Sequence, residues 1–143
     1  MNHRWCQSIL VAILMVLLTA CGSPIPPTEF APDGNIVRKA IALQLSLTEQ
    51  AISEQLKASH PELEITQIAV KQLDPLFIAK LPAYHLQGTY NLTLKLPRQQ
   101  VKQKNNRFDI YLQRQVEGKT WRLLKRESSD SNKRDRWFSY LIQ

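Results

Sequence analysis

Few side chains in this chain combine a reactive type with a spacing that suggests chemistry. His60 stands beside a proline and His85 within an alternating polar and apolar run, and neither has an acid or a nucleophile at a recognisable spacing. A lone histidine of this kind is more often a surface residue than a base or a metal ligand. Glu62 and Glu64 fall on one side of an alternating segment, which suits a weak cation site, but a calcium loop needs more oxygen ligands.

The sequence lacks the motifs of common catalytic and cofactor sites. It has no glycine-rich phosphate loop, no nucleophile elbow and no zinc-ligand spacing. We therefore expect no cofactor and no metal. The sequence predicts a protein that is not an enzyme, unless the fold assembles a site from residues that are distant in the chain.

Cys21 is the residue with the clearest chemical meaning. It follows Leu18-Thr19-Ala20 at the end of ten uninterrupted apolar residues, Ile9 to Leu18, and Arg4 makes the region before them positive. This pattern resembles a bacterial lipoprotein signal peptide with its lipobox. The resemblance implies that residues 1–20 are removed and that Cys21 becomes the lipidated N-terminus of the mature chain.

The apolar run is too short to be a permanent transmembrane anchor. A spanning helix needs about 20 apolar residues, whereas two or more acyl chains already give stable attachment. We expect a lipid-anchored protein on the exported side, at the periplasmic or luminal face of an inner, outer or thylakoid membrane. The alternative is an ordinary secretory signal that is cut near Ala20, with Cys21 incidental. Since Cys6 lies in the removed segment, no disulfide is expected.

Composition changes directly after Cys21. The segment from Gly22 to Asn35 holds four of the eight prolines and two of the four glycines. Because proline favours an extended polyproline II chain, residues 21–35 are predicted to be the acylated cysteine and a tether. Residues 36–143 then remain, which is enough for a single domain with its own hydrophobic core.

The domain is predicted to open with one helix. Apolar residues recur there at spacings of four and three, with Asp33 or Asn35 as the cap at the start. A second apolar stripe on the first half indicates that more than one side of the helix is buried. The first stripe consists of Val37, Ile41, Leu45, Ile52 and Leu56, and the second of Ile36, Leu43 and Leu47.

After the helix the pattern changes to the period of two that is typical of strands. Leu63 to Leu73 alternates with a phase slip between Ile65 and Ile68, which indicates a bulge, and Asp74-Pro75 indicates a turn. The cleanest strand, Tyr84 to Leu96, has one apolar and one polar face, as in an antiparallel sheet. Gly88, among its apolar positions, indicates a bend or a close approach of the helix.

The remaining elements follow from turn residues and shorter alternating runs. Pro97 ends the long strand, and a polar stretch to Asn106 is interpreted as a loop. The strand that contains Phe108 leads through a hairpin turn at Glu117-Gly118 into a returning strand, and the chain closes on a last strand, residues 137–142.

One helix followed by four or five antiparallel strands predicts an α+β domain with a curved sheet packed on the helix. This element order resembles the cystatin-like and NTF2-like α+β rolls, and the hairpin residues Val116 to Leu123 are similar to the last hairpin of small NTF2-like domains. The Gln-x-Val-x-Gly loop of cystatin inhibitors and the extra helices of full NTF2 domains are absent. The chain as a whole is also similar to short uncharacterised cyanobacterial lipoproteins.

Positive charge is concentrated in the second half of the chain. Residues 21–94 contain five basic and seven acidic side chains, whereas residues 95–143 contain thirteen basic and five acidic ones. We predict a basic binding patch in two groups. The first group is Arg98, Lys102, Lys104 and Arg107, and the second is Lys125, Arg126, Lys133, Arg134 and Arg136. The alternative is a solvated face that keeps the protein soluble.

Two functional interpretations remain. The favoured one is an exported accessory or assembly protein, anchored by its lipid, that docks the basic patch on a membrane protein complex or an anionic membrane surface. Export argues against nucleic acid as the partner, and the oligomeric state is left open. The alternative is a small-ligand carrier or an enzyme with a pocket between helix and sheet, lined by Tyr84, Tyr90, Phe108 and Trp121, which would otherwise be ordinary core residues.

Overall fold

The computed structural model describes residues 25–56, 62–127 and 136–143. These residues form a 3-10 turn (Thr28–Phe30), helix α1 (Gly34–Leu56) and five strands: β1 (Glu62–Ile78), β2 (Leu81–Leu96), β3 (Gln99–Arg114), β4 (Trp121–Glu127) and β5 (Arg136–Ile142). Residues 1–20, which are predicted to be the signal peptide, and Cys21, His60, Lys133 and Arg134 lie outside the described residues. Within the described ranges, no helix is long and apolar enough to cross a membrane.

The five strands form one antiparallel sheet in the order β1-β2-β3-β4-β5. Helix α1 lies on one face of this sheet and contacts β1, β3, β4 and β5. We call the face against the helix the inner face and the opposite one the outer face. The predicted α+β arrangement of one helix and an antiparallel sheet is confirmed.

Helix α1 begins where the sequence provides a cap. Asp33 Oδ1 accepts hydrogen bonds from the backbone N–H groups of Asn35 and Ile36, both at 2.9 Å. These bonds satisfy two of the donors that the first turn of a helix leaves free. Asp33, rather than Asn35, is therefore the cap. Val37 and Ile41, in the first turns of the helix, are buried in the core and about 1% exposed.

The core lies between α1 and the inner face. On β2, the apolar alternation buries Tyr84, Leu86, Tyr90 and Leu92 as predicted, while the residues between them stay half-exposed. The buried core cluster also takes residues from the other elements, namely Val37, Ala40, Ile41, Ile65, Phe108, Ile110, Leu112, Trp121, Leu123 and Ile142. This apolar cluster therefore joins α1 and all five strands.

Strand β1 is longer than predicted. The predicted turn at Asp74-Pro75 is wrong, because the strand continues to Ile78 and turns only at Ala79 and Lys80. Pro75 is tolerated because β1 is an edge strand, where the missing N–H removes no bond to a second neighbour. The predicted bulge is confirmed by a register shift between Thr66 and Ala69.

The polar segment before Phe108 is also a strand. The predicted loop to Asn106 is wrong, since β3 already begins at Gln99, directly after a turn at Pro97 and Arg98. We use the name arm for the part of the sheet in which residues 62–66, 91–96 and 99–104 pair, at this end of β2 and β3. Pairing with the strongly patterned β2 makes this segment extended despite its weak alternation.

The segment before the helix packs against the domain. Pro26 is fully buried, and Pro27 O accepts a 2.7 Å hydrogen bond from the hydroxyl of Tyr84. The guanidinium of Arg114 lies 4.8 Å from the centre of the Phe30 ring. Pro26, Pro27 and Phe30, which belong to the predicted tether, therefore contact the domain. We name the end of the sheet where this segment packs, together with the β3–β4 turn, the capped end.

Gly88 marks a close approach, but not the approach of the helix. A Cβ at this position would lie 2.7 Å from the ring of Phe108 and would also collide with the backbone oxygen of Ala69. The expected contact with α1 is therefore replaced by contacts with the neighbouring strands. Only glycine leaves enough room for these two groups at the middle of β2.

Candidate functional site

The outer face of the sheet carries the polar side chains of β2. His85, Gln87, Thr89, Asn91 and Thr93 alternate with the buried residues and are half-exposed. Strands β1 and β3 flank β2, so their outward side chains stand on either side of this polar row. Residues that are far apart in sequence therefore meet on this face.

His85 has partners that its sequence neighbourhood does not reveal. Its Nε2 lies 2.7 Å from Asp109 Oδ1 on β3, and its Nδ1 lies 3.8 Å from Asp74 Oδ2 on β1. The ring also stacks on Tyr111, with centroids 4.2 Å apart and planes at 3°. The sheet thus brings two carboxylates to His85 from adjacent strands, and the spacing of residues in the sequence does not indicate them.

The polar row around His85 is built to join strands. Gln87 Nε2 donates to Asp109 Oδ2 at 2.7 Å, and Gln72 Nε2 donates to Asp74 Oδ2 at 2.6 Å. A histidine base needs its free nitrogen beside a nucleophile, whereas Nε2 of His85 faces a carboxylate. In the described ranges, no group of three histidine, cysteine or acidic side chains could hold a metal ion. The row therefore cross-links β1, β2 and β3.

The first basic group is assembled on the outer face by a bulge in β3. Lys102 pairs with Thr93 and Arg107 with Thr89, and both partners face outward. Residues five apart on a regular strand point to opposite faces. Here the register shifts by one residue next to Asn105, whose φ is 56° and whose N–H donates to Asn91 Oδ1 at 3.0 Å. The bulge thus turns Lys102, Lys104 and Arg107 to the same face.

We call these three residues, together with Arg98, the basic arm surface. Arg98 lies in the β2–β3 turn at the tip of the arm. All four side chains are exposed. They are therefore available to an acidic partner, unlike charges that are already paired within a core.

Two clefts run along the outer face beside the basic arm surface. The larger, of about 520 Å³, is lined by residues of β1, β2 and β3 that include Lys71, Gln87 and Arg107. The second, of about 250 Å³, is lined by Asn91, Thr93, Lys102 and Lys104 among others. Their positions follow consecutive stretches of β2, so they form a polar trough with basic side chains along the β3 side.

The candidate cation site at Glu62 and Glu64 is occupied by a side chain of the protein. Lys95 Nζ lies 3.0 Å from Glu62 Oε1 and 3.6 Å from Glu64 Oε2. The hydrogen bond and charge of Glu62, followed by the charge of Glu64, raise the pKa of Lys95. These carboxylates therefore balance a lysine within the arm, and the positive charge that lines the trough comes from Lys102, Lys104 and Arg107 on β3 and from Lys71 on β1.

The described members of the second basic group, Lys125, Arg126 and Arg136, are divided between the two faces of the sheet. Lys125 and Arg126 are consecutive residues of β4, so their side chains leave opposite faces of the sheet. Arg136, on β5, pairs with Glu127, and its guanidinium lies 5.5 Å from the centre of the Phe138 ring. These residues lie at the end of β4 and the start of β5, whereas the first group lies on β3 and in the β2–β3 turn.

The aromatic residues of the predicted pocket are packed in the core. Tyr84 and Trp121 have ring centroids 5.9 Å apart, and Tyr90 and Phe108 have centroids 6.4 Å apart. All four side chains are buried. A cavity between α1 and the sheet, near Leu47 and Leu123, measures about 30 Å³. This is room for about one water molecule, so the open space of the described residues lies mainly on the outer face.

Burial also affects the two buried tyrosine hydroxyls. Desolvation raises the pKa of Tyr84, opposed in part by the positive charge of Arg114, and it raises the pKa of Tyr90. Both phenols therefore stay protonated at neutral pH.

In comparisons with known proteins, no family model matches the chain, and no curated protein or solved structure matches it significantly.

Proposed function

We propose that this protein is an exported accessory or assembly protein, attached to a membrane by lipid on Cys21, that docks its basic arm surface on the acidic surface of a membrane protein complex. The α+β domain would then be a small roll of the cystatin-like or NTF2-like kind, used as a scaffold for binding. The observation that carries the proposal is the bulge beside Asn105, which collects Lys102, Lys104 and Arg107 on one exposed face.

The position of this surface favours a protein partner over the headgroups of the anchoring membrane. Strand β2 has sixteen residues and spans about 50 Å at 3.3 Å per residue. Its first residues lie at the capped end, where the chain arrives from Cys21, and its last residue precedes the turn that contains Arg98. Positive charge that far from the anchor is well placed to meet a complex that projects from the membrane.

Charge complementarity would set the affinity and the salt dependence of this docking. Exposed basic residues act over about 8 Å at physiological ionic strength, and they mainly raise the rate of association. The polar trough along β2 offers amide and hydroxyl groups beside these charges. An acidic protein segment laid along the trough would meet basic side chains on one side and hydrogen-bonding groups beneath it.

The docking is tested by neutralising the basic arm surface. The variant R98Q/K102Q/K104Q/R107Q and a matched control, R38Q/K39Q/K80Q/K119Q, change the net charge equally at exposed positions. Crosslinked membrane complexes are captured with each protein at low and at high salt. We expect a salt-sensitive partner to be lost in the first variant and kept in the control. Equal capture by both variants would refute the role of the surface.

A second experiment distinguishes a protein partner from a lipid partner. The soluble domain, without its anchor, is mixed with vesicles of phosphatidylcholine and phosphatidylglycerol. We expect weak binding that the two charge variants reduce equally. Tight binding that depends only on the basic arm surface would instead assign that surface to anionic headgroups.

The anchor is tested by Cys21→Ser. This variant keeps every described residue, so we expect an unchanged circular dichroism spectrum and release of the protein from membranes. Intact mass of the wild-type mature protein should show acyl chains on Cys21. If the Cys21→Ser variant still sediments with membranes at high salt, lipid is excluded as the main anchor.

A further inference from the structure

The capped end carries an unusual set of exposed apolar side chains. Among the large apolar residues whose side chains are described, the three most exposed are Val116 at 86%, Ile25 at 68% and Phe30 at 50%. Ile25 and Phe30 belong to the segment before α1, and Val116 lies in the β3–β4 turn. Scattered apolar residues are normal on protein surfaces. Here, however, the three most exposed ones lie at the same end of the sheet, which calls for an explanation.

The segment and the turn are held together by Arg114. Its guanidinium lies over the Phe30 ring, and its Nε and Nη2 donate to Gly118 O at 3.2 and 3.1 Å. The turn itself is closed by a 2.8 Å hydrogen bond from Gly118 N–H to Gln115 O. Arg114 therefore connects the segment that carries Phe30 to the turn that carries Val116. Val116 is at a turn position where polar residues and glycine are usual.

This surface lies close to the proposed point of attachment. Pro26 is buried and Pro27 is bonded to Tyr84, so the chain is fixed to the domain from these residues onward. Four residue steps separate Ile25 from Cys21, and at most about 3.5 Å per step gives a reach of about 14 Å in any conformation. A lipid on Cys21 would therefore keep the capped end close to the membrane surface, whereas fourteen fully extended residues could hold it up to about 40 Å away.

We propose that Ile25, Phe30 and Val116 form a membrane-contact surface, which inserts into the interfacial region of the lipid bilayer beside the lipidated Cys21. The inference rests on the lipid anchor of the proposed function and adds an orientation to it. The transfer of apolar side chains from water to the interfacial region is favourable. The domain then stands with its capped end on the bilayer and its arm pointing away.

The orientation is tested with an environment-sensitive fluorophore at single introduced cysteines. The two native cysteines are Cys6, in the removed segment, and Cys21, whose thiol is blocked by lipid, so only the introduced cysteine reacts. The probes are V116C and I25C at the capped end, and the matched control is V101C, an exposed valine of the arm. Each mature, acylated protein is reconstituted in vesicles of phosphatidylcholine and phosphatidylglycerol.

We expect the emission of the V116C and I25C probes to shift to shorter wavelength on reconstitution and to be quenched by lipids spin-labelled near the headgroup. The V101C probe should keep its aqueous emission. Aqueous emission from all three probes in protein whose mass shows acylation would overturn the membrane-contact surface but leave the anchor in place. A shift of all three would overturn the upright orientation. A mass without acyl chains would refute the anchor and this inference with it.

Discussion

The two ends of the β2–β3 hairpin use the same alternating pattern to different effect. At the capped end, inward residues such as Leu86 on β2 and Ile110 on β3 are about 1% exposed. In the arm, inward Leu94 is half-buried, and its partner Val101 is 36% exposed. The capped end therefore contributes most of the packing free energy, since that term scales with apolar area removed from water. The arm carries the charge that the proposed docking requires.

The hairpin therefore separates tightly packed apolar residues at the capped end from exposed positive charge in the arm. The basic arm surface can change with little loss of core packing, because its side chains are exposed. Substitutions at the capped end should instead lower stability and loosen the packing of the segment before α1. Gly88 lies between the two regions, where β2 makes its closest contact with its neighbours.

The largest expected contrast is between two leucine truncations. Leu112→Ala, at a fully buried position of the capped end, should lower the free energy of unfolding by about 3 kcal/mol, through lost burial and a residual cavity. Leu94→Ala, the matched change in the arm, should cost about 1 kcal/mol because its side chain is half-exposed. Urea unfolding followed by circular dichroism measures both values. Equal losses would show that the arm is as tightly packed as the capped end.

The junction between the two regions is tested at Gly88. In Gly88→Ala the new methyl group would meet the Phe108 ring and the Ala69 oxygen, and we expect a loss of about 2 kcal/mol from the forced displacement. Gly34→Ala is the control, since nothing lies within 4 Å of a Cβ there, and it should stay within about 0.5 kcal/mol of the wild type. A neutral Gly88→Ala would mean that β1 and β3 can move apart at this point.

The sequence was sufficient to predict the elements whose patterns are strong and local. The stripe of α1, the alternation of β2 and the phase slip in β1 each reflect burial of one face, so the residue types follow the structure directly. Asp74-Pro75 was misleading because its composition is that of a turn. The strand tolerates it only through its edge position, which is a property of the sheet order and not of the local residues.

The candidate site was harder to predict because it depends on pairing between strands. Counting back from the turn at Pro97 and Arg98 without a bulge would place Ile110 opposite His85, with Asp109 facing inward. The extra residue near Asn105 shifts the register so that Tyr111 is opposite and Asp109 faces His85 on the outer face. A shift of one residue exchanges the two faces of a strand. The same bulge decides which basic residues share a surface.

A smaller effect is expected where the capped end holds the segment before α1. Tyr84→Phe removes the hydrogen bond to Pro27 O and should cost about 1 kcal/mol. Protease cleavage near residues 25–31 should become faster, because the segment loses its polar contact with β2. Tyr90→Phe, a buried tyrosine further along β2, is the matched control and should leave this cleavage unchanged. Identical protection in both variants would show that the buried Pro26 alone holds the segment.

The same hydroxyls predict a loss of stability in alkali. Burial raises the pKa of Tyr84 and Tyr90 above the value of 10.0 for a free tyrosine. The folded protein then holds these protons more tightly than the unfolded chain, so stability is unaffected below pH 10 and falls as the pH rises through the folded pKa values. Urea unfolding between pH 9 and 11 should show this fall, with a smaller slope in Tyr84→Phe. A slope that Tyr84→Phe leaves unchanged would assign the loss to other groups.

The smallest effect is expected in the polar row, which spans the outer face between the capped end and the arm. Asp109→Asn removes the charge beside His85 but keeps an oxygen for Gln87, and the side chain of Asp109 is 58% exposed. An exposed ion pair contributes less than about 1 kcal/mol. A double-mutant cycle with His85→Gln, measured by urea unfolding, should therefore give a coupling energy below that value. A coupling energy well above about 1 kcal/mol would require the polar row to be shielded from water. Such a result would make the outer face part of the folding core. The separation between a packed capped end and a charged arm would then no longer hold.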